Sequence, residues 1–278
     1  MIERKDPCSC GSGRKYKKCS KFQVFLHVTK HAMIKPPNIK DAPFSVLIES
    51  CPDLKELRRK HAARTAPERR RAADFTYSQA IASRLFSGFA PDVGDGDGIF
   101  GTMAALAIDA DFAPALLAVG SIEHQLGRHE EAMKHFLHLT ELTRETADLA
   151  EIIDKAAQFL IDAGDLAQAE CLFGAAVGAF PGVALYYSGL GYCAGKQGRK
   201  AEALAHAKKA LELEPDNAVH LCDLGWALID AGRPHEAEAP LRMAIALAPG
   251  KTMAEGNLAY LERLIVKRLG DSPEFPTS

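Results

Sequence analysis

The chain has 278 residues, of which 47% are apolar and 25% charged, a composition typical of a soluble globular protein. This excludes a disordered or collagen-like chain, and no stretch reaches the roughly 18 consecutive apolar residues of a membrane-spanning helix. The first residues, MIERKDPCSCGSG, are charged and glycine-rich and lack the apolar core of a secretory signal. We therefore expect a cytoplasmic protein with no membrane partner.

The two parts of the chain on either side of Arg71 carry net charges of opposite sign. Up to Arg71 there are 18 Lys and Arg against 7 Asp and Glu, whereas the remaining residues carry 16 bases and 29 acids. Such an asymmetry indicates that the basic part meets a polyanion such as RNA, or that the two parts attract each other. A nucleic acid is therefore one candidate partner of the N-terminal region.

The seven cysteines fall into a cluster and four isolated residues. In a reducing compartment a cluster indicates a metal site, whereas isolated cysteines are typical of small buried side chains. The cluster consists of Cys8, Cys10 and Cys19, and the isolated residues are Cys51, Cys171, Cys193 and Cys222.

The cysteine cluster lies in residues 7–19, which read PCSCGSGRKYKKC. Thiolates are good zinc ligands, the glycines permit a tight turn, and the neighbouring lysines favour ionised sulfur. The run strongly resembles the SEC-C motif, the small metal-binding tail of the SecA preprotein translocase, which recurs in other bacterial proteins. The resemblance implies that residues 1–22 surround one Zn²⁺ ion, with iron as an alternative metal.

The fourth ligand of this site departs from the family pattern. The residue after Cys19 is Ser20, where the SEC-C family has Cys or His, and a hydroxyl is a poor zinc donor at neutral pH. Three alternatives remain: His27 or His31 supplies the ligand, water completes an open site, or the segment holds metal weakly. The predicted ligand set is Cys8, Cys10, Cys19 and His27. No positioned carboxylate or general base accompanies it, so we expect no enzyme.

The segment between the cysteine cluster and the first repeats is expected to be helical in part. Residues 23–72 are expected to be a basic linker and helical segment, with helical structure at 44–63. Residues 73–112 are predicted to be a degenerate helical repeat, whose first helix begins upstream at 68–87. Its second helix covers 104–110, and an acidic, glycine-rich loop at 88–101 joins the two.

Small residues and prolines recur with a period of 34 residues in the second half of the chain, as expected for an array of helical units. A glycine ends a helix where left-handed backbone is required, an alanine lets helices approach closely, and a proline closes the unit. The four sets are Gly164, Gly198 and Gly232; Ala169, Ala203 and Ala237; Ala176, Ala210 and Ala244; and Pro181, Pro215 and Pro249.

These sets resemble the tetratricopeptide repeat over residues 113–251. An earlier copy, with Gly120, Gly127, Ala132 and Phe136, keeps the internal spacing. The resemblance implies an all-α fold, an α-solenoid of helix-turn-helix units. The expected units are 113–149, 150–183, 184–217 and 218–251, followed by a capping helix at 252–270 and a tail at 271–278.

In tetratricopeptide proteins the first helix of each unit lines a concave groove. Aligning the repeats of this chain with the family pattern shows which of its residues are expected to line that groove. The resulting surface is acidic with an aromatic centre, which favours a peptide or protein ligand with basic residues. In the alternative interpretation, Trp226 and Tyr192 pack against the next helix or the cap. The groove positions are Glu151, Ser188 and Cys222, with the predicted partner-binding residues Asp154, Gln158, Asp162, Tyr192, Lys196, Trp226 and Asp230.

Two functions follow from these expectations. The first is a non-enzymatic adaptor, whose groove binds a protein or peptide segment while the basic N-terminal end docks on a second partner. By resemblance to other SEC-C carriers, that second partner is a SecB-like chaperone or a ribosome. The alternative is a nucleic-acid- or ribosome-associated regulatory accessory protein that uses the basic N-terminal region.

Overall fold

The computed structural model describes residues 42–86, 96–250 and 252–270, and within these ranges every element of regular structure is a helix. This confirms the all-α, tetratricopeptide-type solenoid class. None of the helices found in these ranges combines the length and the apolar character needed to cross a membrane.

Thirteen helices follow one another through the described residues. In chain order they are α1 (Phe44–Ser50), α2 (Pro52–His61), α3 (Ala66–Phe86), α4 (Gly96–Ile108), α5 (Ala113–Gln125), α6 (His129–Glu141), α7 (Leu149–Asp162), α8 (Leu166–Ala179), α9 (Ala184–Lys196), α10 (Lys200–Leu213), α11 (Ala218–Asp230), α12 (Pro234–Leu247) and α13 (Thr252–Gly270).

The chain divides into two compact units, Met1–Ile152 and Ile153–Ser278. Helix α4 is the centre of the first unit. Every residue from 101 to 109 is buried, and α4 contacts α1, α2, α3 and α5. A helix that is apolar on all sides has to be enclosed by neighbours in this way. The Nε atom of Arg70 donates to Oδ2 of Asp109 at 2.7 Å, which ties α3 to the end of α4.

Helix α1 is held to the first unit by a carboxylate from another helix. The backbone N–H of Phe44 donates to Oε1 of Glu123 at 2.6 Å, and the fully buried Glu123 also pairs with Arg128. The carboxylate satisfies a free N–H at the helix N-terminus, where negative charge is favourable. Glu123 of α5 therefore sets the position of the first described helix.

The segment predicted to be helical at 44–63 is helical from Phe44 to His61, with one break that divides it into α1 and α2. Cys51 is extended, with φ −76° and ψ 117°, and Pro52 begins α2. Proline disfavours helical backbone in the residue that precedes it, so the break falls at Cys51.

The predicted loop at 88–101 is too long. Helix α4 begins at Gly96, earlier than the predicted start of the second helix at 104, and residues 87–95 lie outside the described ranges. A Cβ atom on Gly101 would lie 2.1 Å from the Cβ of Ala80. This glycine therefore allows α3 and α4 to approach within the helical part and does not mark a loop.

The glycines and prolines of the 34-residue pattern have the predicted roles. Gly164, Gly198 and Gly232 have φ of 88°, 75° and 76°, the left-handed conformation in which glycine has little strain. Helix α10 ends at Leu213, two residues before Pro215, and α12 ends likewise before Pro249. The turns within units and the ends of units are thus encoded locally.

Small residues allow close packing within the second unit. Ala169 and Ala237 are fully buried, and Ala203 is nearly so. A Cβ atom on Gly225 of α11 would lie 2.5 Å from Cγ of Leu241 on α12. The two helices of this pair therefore meet at a distance that a larger residue would prevent.

Helix α13 covers the end of the second unit. It packs against α11 and α12 and buries Leu261 completely. Leu258, Leu264 and Ile265 are partly buried against the same core. The tail at 271–278 lies outside the described ranges.

The isolated cysteines only partly meet the expectation of burial. Cys193 and Cys222 are buried and Cys51 is partly buried, but Cys171 of α8 is exposed. The expectation is therefore wrong for Cys171, because one side of α8 faces solvent although most of its residues are apolar.

We expect Ala203→Leu to destabilise the second unit by about 1–3 kcal/mol, because the larger side chain overpacks the contact between α9 and α10. Thermal or urea unfolding followed by circular dichroism measures the change. The matched control is Ala205→Leu on the exposed side of the same helix. Equal stability of the two variants would contradict the packing described here.

Candidate functional site

The first helices of successive units in the second half of the chain form one surface. Helix α9 contacts α11, and α11 contacts α13. In the sequence, α10 lies between α9 and α11, and α12 lies between α11 and α13. Each of these second helices packs against both of its neighbours. Side chains of α9, α11 and α13 that point away from α10 and α12 therefore share one face.

An aromatic row lies on this face. Tyr192, Trp226 and Tyr260 occupy equivalent positions 34 residues apart, and they are 47%, 48% and 43% exposed. The rings of Trp226 and Tyr260 are 5.9 Å apart between centroids, and Nζ of Lys196 lies 5.3 Å from the centre of the Tyr192 ring. We call Tyr192, Trp226 and Tyr260 the aromatic row.

The surroundings of Trp226 agree in part with each of the two interpretations, exposure in the groove and packing against the cap. Its ring contacts Tyr260 of the capping helix, as the packing alternative requires. Nearly half of the Trp226 side chain nevertheless stays exposed, so the contact with the cap does not bury it. The cap thus supports the ring from one side and leaves the other accessible.

Tyr260 belongs to the aromatic row, although it is absent from the predicted partner-binding residues. The helix at 252–270 is predicted only as a cap. The signal is present in the 34-residue period, since Tyr260 follows Trp226 by the same interval that separates Trp226 from Tyr192.

The predicted polar groove residues have different surroundings. Asp154 is partly buried, whereas Gln158 and Asp162 are exposed and joined by a 2.8 Å hydrogen bond from Nε2 to Oδ1. Asp230 forms an ion pair with Lys200 of α10 at 3.2 Å. The negative charge at Asp230 is therefore largely offset, whereas the neutral amide of Gln158 leaves the charge of Asp162 in place.

Cys222, predicted at the groove surface, is buried instead. Its sulfur accepts a hydrogen bond from Nδ2 of Asn257 at 3.3 Å, and burial raises the pKa of the thiol. The neighbouring helix α13 covers this position, and the register alone does not reveal that. Cys222 is part of the floor between α11 and α13.

A polar network connects α9 with the start of α11. The Ser188 hydroxyl lies 2.8 Å from Nδ1 of the buried His220, whose Nε2 is 3.2 Å from Oε2 of Glu214. Burial raises the pKa of the Asp223 carboxyl, and a hydrogen bond from Ser188 partly opposes that effect. These contacts fix α9 against α11. They also give hydrogen-bond partners to buried polar groups, which would otherwise reduce the free energy of unfolding.

The predicted metal ligands cannot be placed on this surface. Cys8, Cys10, Cys19 and His27, together with Ser20, precede residue 42 and so lie outside the described ranges.

Comparison with protein families confirms both resemblances. Models described as tetratricopeptide repeat match residues 113–146, 184–217 and 206–239. A model described as SEC-C motif matches residues 4–19. The chain therefore contains tetratricopeptide repeats and a SEC-C motif. A search of curated protein sequences found no match.

Several solved structures are similar to this chain. The MamA protein shares 18% identity, with 65% of this chain and 93% of that chain covered and a TM-score of 0.44. TTC0263, a thermophilic tetratricopeptide protein of Thermus thermophilus, shares 19% identity over 69% and 99% of the two chains, with a TM-score of 0.44. YrrB, described as a tetratricopeptide protein with an unusual peptide-binding site, shares 18% over 82% and 98%, with a TM-score of 0.45.

Proposed function

We propose that this chain, which carries tetratricopeptide repeats and a SEC-C motif, is a non-enzymatic adaptor of the cytoplasm. The face formed by the first helices of its second unit binds a peptide or protein segment. The observation that carries the proposal is the half-exposed aromatic row. Large aromatic side chains with exposed rings are the residues that contribute most to binding once a partner removes them from water.

The carboxylates of α7 favour a ligand with basic residues. Asp162 is exposed and accepts a hydrogen bond from the neutral amide of Gln158, so it can pair with a cation of the ligand. Asp154 lies two helical turns earlier on the same helix and adds a second carboxylate. A lysine or arginine of the ligand would find opposite charge at this end of the groove.

Positive and negative charges beside the aromatic row are more nearly balanced than those of α7. Lys196 lies over the Tyr192 ring, and Lys200 offsets Asp230. We propose that Gln158, Lys196 and Asp230 complete the binding set at the edges of the aromatic row. Polar groups at the rim of an apolar surface fix the orientation of a ligand more than its affinity.

The N-terminal segment supplies the second binding end of the proposed adaptor. We propose that Cys8, Cys10 and Cys19 bind one Zn²⁺, with iron as the alternative, and that His27 supplies the fourth ligand. Three thiolates and an imidazole suit a structural zinc site, which would stabilise a segment too short for an apolar core. The match to the SEC-C model at residues 4–19 supports this assignment for the cysteines.

The basic N-terminal end of the chain is proposed to dock on a SecB-like chaperone or a ribosome. A nucleic acid is the second candidate, favoured by the excess of bases before Ala72. Helix α2 displays several of these bases, but Arg58 pairs with Glu49, and Arg59 and Lys60 pair with Glu56. The partly neutralised helix favours a protein surface over a phosphate backbone.

We expect Trp226→Ala to weaken capture of the groove partner by about tenfold or more, because the variant removes a central aromatic anchor. Tagged full-length chain incubated with a cytosolic lysate, followed by quantitative mass spectrometry, measures the loss. Met243→Ala is the matched control, since Met243 is equally exposed but lies on the outer helix α12. If both variants retained every partner of the wild type, the groove would not be the binding surface.

Salt separates the two candidates for the basic end. Binding to a single-stranded RNA should fall steeply with added salt, with a slope of about −0.7 per phosphate contact in a double logarithmic plot. Binding of a protein that depends on apolar contacts should change little. Filter binding of an RNA of about 20 nucleotides between low and physiological salt, compared with a chain lacking residues 1–22, tests the alternative. Tight RNA binding that needs this segment would replace the proposed adaptor role.

Purified wild-type chain is expected to hold about one equivalent of zinc or iron, and Cys10→Ser to lose most of it. Inductively coupled plasma mass spectrometry measures the metal, and Cys171→Ser, which alters an exposed cysteine outside the motif, is the control. Metal below about a tenth of an equivalent in the wild type would overturn the metal assignment. His27→Ala and His31→Ala, measured in parallel, identify the fourth ligand.

A further inference from the structure

Two histidines face each other across the turn between α5 and α6 in the first unit. His124 lies in the last turn of α5, and His129 begins α6. Their ring centroids are 4.4 Å apart, with the ring planes at 85°. One nitrogen atom of the first ring lies within 4.8 Å of one nitrogen atom of the second. His124 is buried and His129 is exposed, and we call the two residues the histidine pair.

The backbone of this turn fixes the relative position of the histidine pair. Gly127 has left-handed backbone, with φ of 77°. Its N–H donates to the carbonyl of His124 at 2.9 Å, and the N–H of Arg128 donates to the carbonyl of Glu123 at 2.9 Å. These two hydrogen bonds are those of the Schellman motif, which ends a helix in one defined direction. The backbone alone therefore brings the start of α6, and with it His129, next to His124.

The same turn recurs in the later units with other residues at these two positions. Gly164, Gly198 and Gly232 also have positive φ, and the N–H of each donates to the carbonyl of the residue three positions earlier. The residues equivalent to the histidine pair are Ile161 and Leu166, Gly195 and Lys200, and Ile229 and Pro234. The turn thus folds with aliphatic or small residues, and its packing does not require an imidazole at either position.

The charges around the histidine pair allow a cation to approach. Residues 123–131 contain three acids and one base. That base, Arg128, pairs with the buried carboxylate of Glu123, which offsets its positive charge. Glu130 is exposed directly after His129 and adds negative charge at the surface. A cation beside the two rings would therefore be in a favourable electrostatic environment.

We infer that the histidine pair binds one divalent transition-metal ion of the class that imidazole prefers, represented by Zn²⁺, with water in the remaining positions. Zinc–nitrogen bonds of about 2.0–2.1 Å at a tetrahedral angle place the two nitrogen atoms about 3.3 Å apart. A rotation that moves the exposed ring of His129 by at most about 1.5 Å gives this separation. The site is separate from the SEC-C segment and from the aromatic row, and it goes beyond the proposed function.

The bound ion links the end of α5 to the start of α6. This link exists only in the folded chain, because unfolding removes the turn that holds the two rings together. An ion that binds the folded state and not the unfolded state raises the stability of the folded state by mass action. The unfolding temperature of the first unit therefore rises when Zn²⁺ is present.

Isothermal titration calorimetry with zinc chloride tests the site on the full-length chain. All samples carry Cys10→Ser, which reduces binding at the N-terminal cysteines and leaves any remaining heat common to every variant. The test variants are His124→Ile and His129→Leu, since aliphatic residues occupy these positions in the next unit. The matched control is His235→Leu, an exposed histidine in the first turn of α12. Unfolding temperatures without metal verify that each variant folds, and the exposed position of His129 keeps the test valid if His124→Ile does not fold.

We expect one Zn²⁺ ion to bind the parent chain at the histidine pair, and each of the two test substitutions to weaken this binding by about tenfold or more. His235→Leu should leave it unchanged. Zinc should raise the unfolding temperature of the parent and of His235→Leu but not that of His129→Leu. Equal binding by the parent and His129→Leu would overturn the inference, as would the lack of a saturable event up to about 1 mM Zn²⁺. Loss of binding in only one of two folded test variants would also overturn it, because both imidazoles are ligands.

Discussion

The structure of the second half of the chain depends on one packing constraint: a pair of helices cannot bury its apolar stripe without a neighbouring pair. The pair therefore repeats every 34 residues, and each repeat supplies small residues where helices meet. Gly225 accommodates Leu241 at a distance that no side chain would allow, and Ala237 is fully buried beside them. Helix α13 ends the array by covering the last pair with Leu261.

The same period that builds the core also repeats the opposite face of each first helix. A residue placed on that face in one unit recurs beside its equivalent in the next unit, so Tyr192, Trp226 and Tyr260 form a continuous row. Packing of the units covers only part of this row, because its members remain nearly half exposed. An exposed apolar face of this kind is typical of a surface that a partner covers.

The features that depend on local chemistry are predictable from the sequence. Gly198 has the left-handed backbone expected of it, and α10 ends before Pro215 as proline requires. Features that depend on neighbouring helices are not. Gly101 resembles a loop residue because its contact with Ala80 is invisible in the sequence, and Cys222 is predicted at the surface although α13 covers it. Tyr260 escapes prediction because its helix is considered only as a cap.

In the proposed function, the aromatic row is open in the free chain and covered when a partner binds. Acrylamide quenching of the single tryptophan, Trp226, tests this most directly, because the neutral quencher reaches only exposed indole rings. We expect efficient quenching in the free chain and a severalfold smaller quenching constant in the saturated complex with a captured partner. An unchanged quenching constant in that complex would contradict it, since the partner would then be bound elsewhere.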